Sequence, residues 1–107
     1  FPYTTLFRSM TGDVMTHSAQ VLPLSGATAE ALELSDDFTL PGNGVSWFIK
    51  NLDSSNNVLI GEAGDDAADM VMIKPGESAI FSSIGQLYAK SSSASNTVSV
   101  EYIGIEL

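Results

Sequence analysis

The stretch Val45-Ser46-Trp47-Phe48-Ile49-Lys50-Asn51-Leu52 is the clearest strand pattern in the chain and decides the fold class. Val45, Trp47 and Ile49 occupy alternate positions, so in a β-strand they share one face. Burying the large side chains on that face would contribute about 1.5–3 kcal/mol each. The stretch therefore predicts a central strand with one face in a hydrophobic core.

Turn-forming residues lie on both sides of this strand. Pro41-Gly42-Asn43-Gly44 precedes it, and the polar segment 53–57 follows it and leads to the apolar run Val58-Leu59-Ile60-Gly61. Because Asn and Asp tolerate positive φ and hydrogen-bond their own backbone, segment 53–57 predicts a hairpin loop. Further along, Lys74-Pro75-Gly76-Glu77 predicts a type II turn, since Pro presets φ at its first central position and Gly supplies positive φ at its second.

About eight short apolar runs alternate with such turns from Val14 onward, which is typical of antiparallel strands. The run Val14–Leu22 alternates, with Thr16, Ser18 and Gln20 on one face and Met15, His17, Ala19 and Val21 on the other. Segment 27–34 has helix-favouring composition, yet a two-residue period continues through Leu40. Two short strands are expected there, with a single helical turn as the alternative. The predicted fold is all-β, a single antiparallel, jelly-roll-like β-sandwich.

The last run, 97–107, is apolar on both faces. Val98, Val100 and Tyr102 alternate on one face, after which the apolar positions change to Ile103, Ile105 and Leu107. A strand with this pattern either contains a bulge near Gly104 or is covered on both sides. The second arrangement predicts a subunit contact, and its interface residues would be Ile103, Ile105 and Leu107.

Composition excludes several classes of partner. The 107 residues include 13 acidic residues against 4 Lys and Arg, for a formal charge of -9. Such a chain offers no basic surface to a nucleic acid backbone and is repelled by anionic lipid headgroups. No apolar run approaches the roughly 18 residues that a membrane span needs. There are no cysteines for disulfides or thiolate metal sites.

The first nine residues, Phe1-Pro2-Tyr3-Thr4-Thr5-Leu6-Phe7-Arg8-Ser9, resemble the in-frame translation of a common short-read sequencing adapter. A segment of this kind is foreign to the natural protein and carries no information about its fold. We therefore expect residues 1–9 to be a non-native extension and residues 10–107 to form the single domain. The alternative is an ordinary N-terminal strand, because Tyr3, Leu6 and Phe7 are apolar and could pack.

Candidate chemistry is sparse. His17 is the single histidine, and no Gly-x-Ser-x-Gly motif accompanies it, so a catalytic triad is not favoured. Asp65, Asp66 and Asp69 form an acidic, Gly-containing loop that could hold Ca²⁺, although the spacing fits no EF-hand and a solvated loop is the preferred interpretation. Trp47, Phe48, Tyr88 and Tyr102 could form an aromatic platform for a sugar, but aromatic residues at strand spacing are more often core. No cofactor is implied.

Five short segments resemble, in order, the layout of small β-sandwich virion proteins of tailed bacteriophages. They are Trp47-Phe48-Ile49-Lys50-Asn51-Leu52, Asn57-Val58-Leu59-Ile60-Gly61, Lys74-Pro75-Gly76-Glu77, Leu87-Tyr88-Ala89-Lys90 and Val98-Ser99-Val100-Glu101-Tyr102. In head-decoration, head-fibre and tail-associated subunits, Ile-Lys-Asn, Ile-Gly, Pro-Gly-Glu and Leu-Tyr-Ala elements recur in that order. The match covers about 60 residues, each element is short, and residues 10–40 fall outside it.

The resemblance implies a virion protein without enzymatic activity at the surface of the particle, most simply a capsid decoration or stabilisation subunit. Its expected partners are further copies of itself, as a dimer or trimer, and a major capsid or other virion protein. Two alternatives remain: a glycan- or receptor-binding module of a tail fibre or surface protein, using Trp47 or Tyr88 with loop carboxylates, and a small jelly-roll hydrolase, which would need His17 and two acids in one pocket.

Overall fold

The computed structural model describes residues 15–42, 44–62 and 70–106, and these form an all-β sandwich of two antiparallel sheets. The predicted fold class is therefore confirmed. Asp65, Asp66, Asp69 and Leu107 lie outside the described residues, as does the N-terminal segment 1–14. The eight strands are β1 (Met15–Leu22), β2 (Glu30–Ala31), β3 (Val45–Asn51), β4 (Val58–Gly61), β5 (Val71–Ile73), β6 (Ser78–Ser83), β7 (Tyr88–Ser91) and β8 (Val98–Glu106).

The connectivity is that of a jelly roll. Sheet I has the strand order β1-β8-β3-β6, and sheet II has the order β2-β7-β4-β5. The paired strands are therefore β1–β8, β2–β7, β3–β6 and β4–β5. This is the arrangement of a long hairpin that is rolled up into two layers. As predicted, β3 is central, because it is hydrogen-bonded to β8 on one side and to β6 on the other.

Side-chain alternation builds the core between the sheets. In sheet I, the inward positions of β3 and β8 are buried, and Trp47 packs against Tyr102 with ring centroids 6.3 Å apart. Sheet II contributes the inward side chains of its two central strands and β5. The core cluster comprises Leu22, Leu32, Val45, Trp47, Ile49, Val58, Ile60, Ile73, Leu87, Ala89, Val98, Val100 and Tyr102.

The predicted hairpin at 53–57 is wrong. Strands β3 and β4 belong to different sheets, so segment 53–57 crosses from one layer to the other. Both edges of β3 are already occupied, and a segment of this length can cross the roughly 10 Å between packed sheets. Buried Asn51 fixes the crossing, because its Nδ2 donates to the carbonyls of Asn56 (2.8 Å) and Ile73 (3.1 Å).

Segment 27–40 contains one two-residue strand, β2, rather than two strands or a helical turn. Hydrogen bonds to side chains of β1, rather than backbone pairing with another strand, hold much of this segment in place. Gln20 Nε2 donates to the Ala31 carbonyl at 2.9 Å, and Ser35 N donates to Thr16 Oγ1 at 2.8 Å. The apolar side chains of the segment still pack on the core, so their two-residue period reflects burial without strand pairing.

The strand β8 has no bulge. Its pairing with β1 and β3 is continuous through Gly104, and its inward positions remain buried in strict alternation. Gly104 instead leaves room for a neighbour, since a Cβ placed there would lie 2.6 Å from Leu34 Cδ2. The Pro75-Gly76 turn is confirmed: Gly76 has φ +74°, and Glu77 N donates to the Lys74 carbonyl at 3.0 Å.

Candidate functional site

The most distinctive surface of the described structure is the outer face of sheet I. The register aligns His17, Ile103, Phe48 and Ile80 in one row across β1, β8, β3 and β6. Ile80 is 74% exposed and Phe48 is 43% exposed. Large apolar side chains therefore cross the outside of the sheet from its centre to the β6 edge.

A second group extends this row. Ile105 lies two residues beyond Ile103 on the same face of β8, and its partner on β1 is Met15, which is 65% exposed. We call these five side chains the outer apolar surface: Met15, Phe48, Ile80, Ile103 and Ile105. They line up because each occupies the outward position of a strand whose alternate positions point into the core.

This face is nearly free of charge. Among the strand residues of sheet I, the outward charged side chains are Lys50 and Glu101, which are register partners of opposite sign. His17 Nε2 lies 3.3 Å from Glu101 Oε2, and both side chains are about half exposed. Since the whole chain carries -9, its excess negative charge lies elsewhere. The outer face of sheet I can thus approach another protein without the repulsion that the rest of the chain would produce.

The outer face of sheet II differs at its centre. Leu59 and Lys90 are register partners on adjacent strands, and they are only 7% and 3% exposed. Lys90 also has an interaction partner. Exposed apolar side chains at the centre of a sheet face are therefore a property of sheet I among the described residues.

Two predicted interface residues, Ile103 and Ile105, lie within this surface and are half-buried in the isolated chain. Leu107 lies outside the described residues. Met15, Phe48 and Ile80 were not among the predicted interface residues, and Phe48 was considered only for a sugar platform. Phe48 and Ile80 nevertheless occupy the outward positions of alternating strands. An apolar residue at the outward position of an alternating strand is the signal in the sequence by which Phe48 and Ile80 could have been identified. The subunit contact itself stays a prediction.

The other candidate residues lie apart from one another. Trp47 is fully buried in the core and donates its Nε1–H to Ser83 Oγ at 2.9 Å, so it offers no platform to a sugar. Tyr88 is half-buried on β7 of sheet II. His17 lies on the open face of sheet I beside a single carboxylate. Among the residues that the structure describes, no group of three or more His, Cys, Asp or Glu could hold a metal ion.

Two side chains have perturbed pKa values. Burial raises the pKa of Tyr102, whose hydroxyl lies 2.6 Å from the Glu33 carbonyl and 3.1 Å from Gln20 Oε1. The backbone N–H groups of Ser55 and Asn56 donate to the Asp53 carboxylate and lower its pKa. The Tyr102 bonds tie segment 30–35 to sheet I and those of Asp53 order a crossing loop, so both sets have structural roles.

Comparison with known proteins gives no further guide: no protein-family model, no curated protein and no solved structure matches the chain. Within the described ranges, no helix is long and apolar enough to cross a membrane.

Proposed function

We propose that this protein is a structural subunit of a tailed-bacteriophage virion, most simply a capsid decoration or stabilisation protein, and that it is not an enzyme. The observation that carries the proposal is the outer apolar surface of sheet I on a strongly acidic domain. A protein that coats a particle needs one face that binds a neighbouring subunit and other faces that stay hydrated. In this protein the exposed apolar side chains lie on the outer face of sheet I, and the excess negative charge lies elsewhere on the domain.

The fold is compatible with that role. Jelly rolls are used by viral capsid proteins and by lectins, among others, so the connectivity supports the proposal by analogy only. The outer apolar surface is the stronger support, because contiguous exposed apolar side chains on a small protein mark binding surfaces. Ile103 and Ile105 lie at the middle of that face, with Phe48 beside them, and are the contacts we assign to the shell protein.

The size of the face sets the strength of the contact. At about 4.8 Å per strand and about 3.3 Å per residue, four strands of about seven residues cover roughly 440 Å². Specific interfaces bury about 800 Å² on each partner. A single copy would therefore bind a shell protein weakly, and stable decoration requires several linked copies, whose contacts reinforce one another.

Particle composition tests the proposal directly. DNA-filled particles sedimented from a phage lysate that carries the gene should contain the tryptic peptide 51–90, which stays intact because trypsin does not cleave the Lys74–Pro75 bond, and the peptide that begins at residue 91, both detected by mass spectrometry. Peptides that remain in the supernatant while particles sediment would overturn the virion assignment.

A rebinding assay then tests the surface. Tagged wild-type protein should co-sediment with particles from which the native subunit has been removed or deleted, and Phe48→Asp should abolish this. The matched control is Met72→Asp, which places the same charge at a 51% exposed apolar position on the outer face of sheet II, opposite Leu59. Equal loss of binding in both variants would remove the outer apolar surface from the proposal.

A further inference from the structure

The two sheets have different edges. The edge strands of sheet II contain two and three residues, whereas those of sheet I, β1 and β6, contain eight and six. Long edge strands normally carry Lys, Pro or a bulge that prevents pairing with another chain. Neither β1 (MTHSAQVL) nor β6 (SAIFSS) contains Lys, Arg, Asp, Glu or Pro. Both edge strands of sheet I therefore lack protecting side chains within their bounds, and the irregular pairing of Asn51 with Gly76 and Glu77 lies before β6 begins.

The backbone groups of β6 alternate in direction. Asn51 N donates to the Glu77 carbonyl at 2.9 Å, so the odd-numbered positions of this segment face β3. By the two-residue alternation of a strand, the N–H and C=O groups of Ser78, Ile80 and Ser82 point away from β3. These are also the residues whose side chains lie on the outer face of sheet I.

Segment 30–35 packs on the inner side of β1 and does not cover its backbone edge. Its bonds go to the side chains of Gln20 and Thr16, which occupy inward positions of β1. In the described part of the chain, the hydrogen-bonded strand neighbour of β6 is β3 alone. Of the two long edge strands, β6 carries the more exposed apolar side chain on the outer face, Ile80 at 74% against Met15 at 65% on β1.

From these features we infer that a second copy of this chain pairs antiparallel with β6 about a two-fold axis at Ile80. The inference deepens the proposed function, on which its biological meaning rests, by naming the self-contact. Ile80 lies opposite Ile80 of the second copy, and Ser78 lies opposite Ser82. Three such pairs, each exchanging two backbone hydrogen bonds, give about six bonds.

The pairing suits the charge of the chain. Two copies that each carry -9 repel one another, so a stable contact has to use uncharged residues. In this register Glu77 lies opposite Ser83 of the second copy, and the two Glu77 carboxylates are at opposite ends of the contact. The small Ser78 and Ser82 side chains flank the two Ile80 side chains, whose high exposure in the single chain is then reduced.

The pairing also enlarges the binding face. Sheet I becomes an eight-stranded sheet, and the row from His17 to Ile80 continues directly into the same row of the second copy. The joined outer face covers roughly 880 Å², close to what one side of a specific interface buries. Self-pairing through β6 thus provides the linked copies that firm docking to a shell protein requires.

The first experiment is sedimentation velocity of the full chain over a range of concentrations, with two proline variants. The N–H of Ser82 points away from β3, so Ser82→Pro leaves the fold's own ladder intact. Ala19→Pro is the matched control on β1. Leu52 N donates to the Ser99 carbonyl, so the odd-numbered residues of β8 bond to β3 and its even-numbered residues bond to β1. Ala19 is the register partner of odd-numbered Glu101, so its N–H points away from β8 to the free edge of β1. Wild type and Ala19→Pro should dimerise, and Ser82→Pro should dimerise at least about tenfold more weakly.

The second experiment tests the register in a chain that has no native cysteine. Directly opposed residues of a hydrogen-bonded pair lie about 5.5 Å apart at Cα, within disulfide range. Mild oxidation should therefore cross-link Ile80→Cys into a dimer. Ser78→Cys should stay uncross-linked, because its two copies would be about 13 Å apart along the strands.

The outcomes separate the two proposals. A wild-type chain that stays monomeric at every concentration, or equal cross-linking of Ile80→Cys and Ser78→Cys, overturns β6 pairing and leaves the virion role standing. Dimers with the expected register, from a chain whose peptides are absent from particles, confirm the pairing and overturn the virion role. Circular dichroism of each variant verifies that it is folded.

Discussion

Sheet I and sheet II share a core but present different exteriors. Sheet I has strands of six to nine residues, uncharged edges and exposed apolar side chains at the centre of its outer face. Sheet II has strands of two to four residues, and the central residues of its outer face are buried. This difference is the reason why we propose sheet I, rather than sheet II, as the layer that takes part in assembly.

The largest expected effect tests whether the two sheets form one cooperative unit. Trp47→Ala removes the biggest side chain of the shared core and should lower the free energy of unfolding by about 3–5 kcal/mol. Urea denaturation measures the change, and Ile80→Ala, on the outer face of the same sheet, should stay within about 0.5 kcal/mol. Amide protection in β4 should fall together with that in β3, and protection retained in β4 would show that the sheets unfold separately.

The contrast between the outer faces can be measured with a matched pair of truncations. Leu59→Ala, at the buried centre of sheet II, should cost about 2–4 kcal/mol of stability. Phe48→Ala, at the centre of sheet I, should cost less than about 1 kcal/mol in the monomer, because part of that ring already contacts water. A larger loss from Phe48→Ala than from Leu59→Ala, in thermal or urea unfolding, would reverse the comparison.

The link between the sheets depends on a buried amide. Asn51→Ala leaves the Asn56 and Ile73 carbonyls and the Asp53 N–H without their partner and should cost about 1–3 kcal/mol. Chemical denaturation gives the value, with Ser46→Ala as the control on the outward side of the same strand. An unchanged denaturation midpoint for Asn51→Ala would show that water replaces these bonds without loss.

Alkaline pH should weaken sheet I through Tyr102. Its folded pKa is raised above the ordinary value of 10.0, so the contribution of the neutral phenol is fully present below pH 10 and is lost as pH rises beyond it. The free energy of unfolding of wild type should fall above pH 10. In Tyr102→Phe this decline should be smaller, and an identical decline in both proteins would rule out Tyr102 as its source.

The smallest effect concerns the exposed crossing loop. The folded pKa of Asp53 lies below its ordinary value of 3.8, so its contribution is present above that pH and is lost as pH falls through the folded value. Asp53→Ala should therefore remove a small part of the acid sensitivity of unfolding. Thermal melts between pH 2 and 6 measure this, with Asp36→Ala as the exposed control, and matching acid profiles for wild type and Asp53→Ala would contradict it.

Sequence patterns predicted the fold well where one face of a strand is apolar. The alternation around Trp47 is strong because that face is buried, and Pro75-Gly76 requires one turn geometry. Segment 53–57 was misassigned because its turn-forming residues suit both a hairpin and a crossing between sheets. Only the occupancy of both edges of β3, which is a tertiary fact, distinguishes the two.

The candidate surface was partly predictable for the same reason. Ile103 and Ile105 were identified because β8 is apolar on both faces. Met15 and Ile80, in contrast, are exposed apolar residues on two different edge strands, and such residues are common on protein surfaces. Strand register is what brings them to one face, and it cannot be read from any single strand.

The position of β8 between β1 and β3 also governs how the protein is made. Leu22 and Val98 are partners across the β1–β8 pair, and synthesis has to proceed from the first to the second before that pair can close. At about 5–20 residues per second, β1 waits roughly 4–15 s for its neighbour. During that time the strand is unpaired, and Thr16, Ser18 and Gln20 interrupt its apolar residues, so that it contains no apolar run longer than two residues on which nascent chains could aggregate.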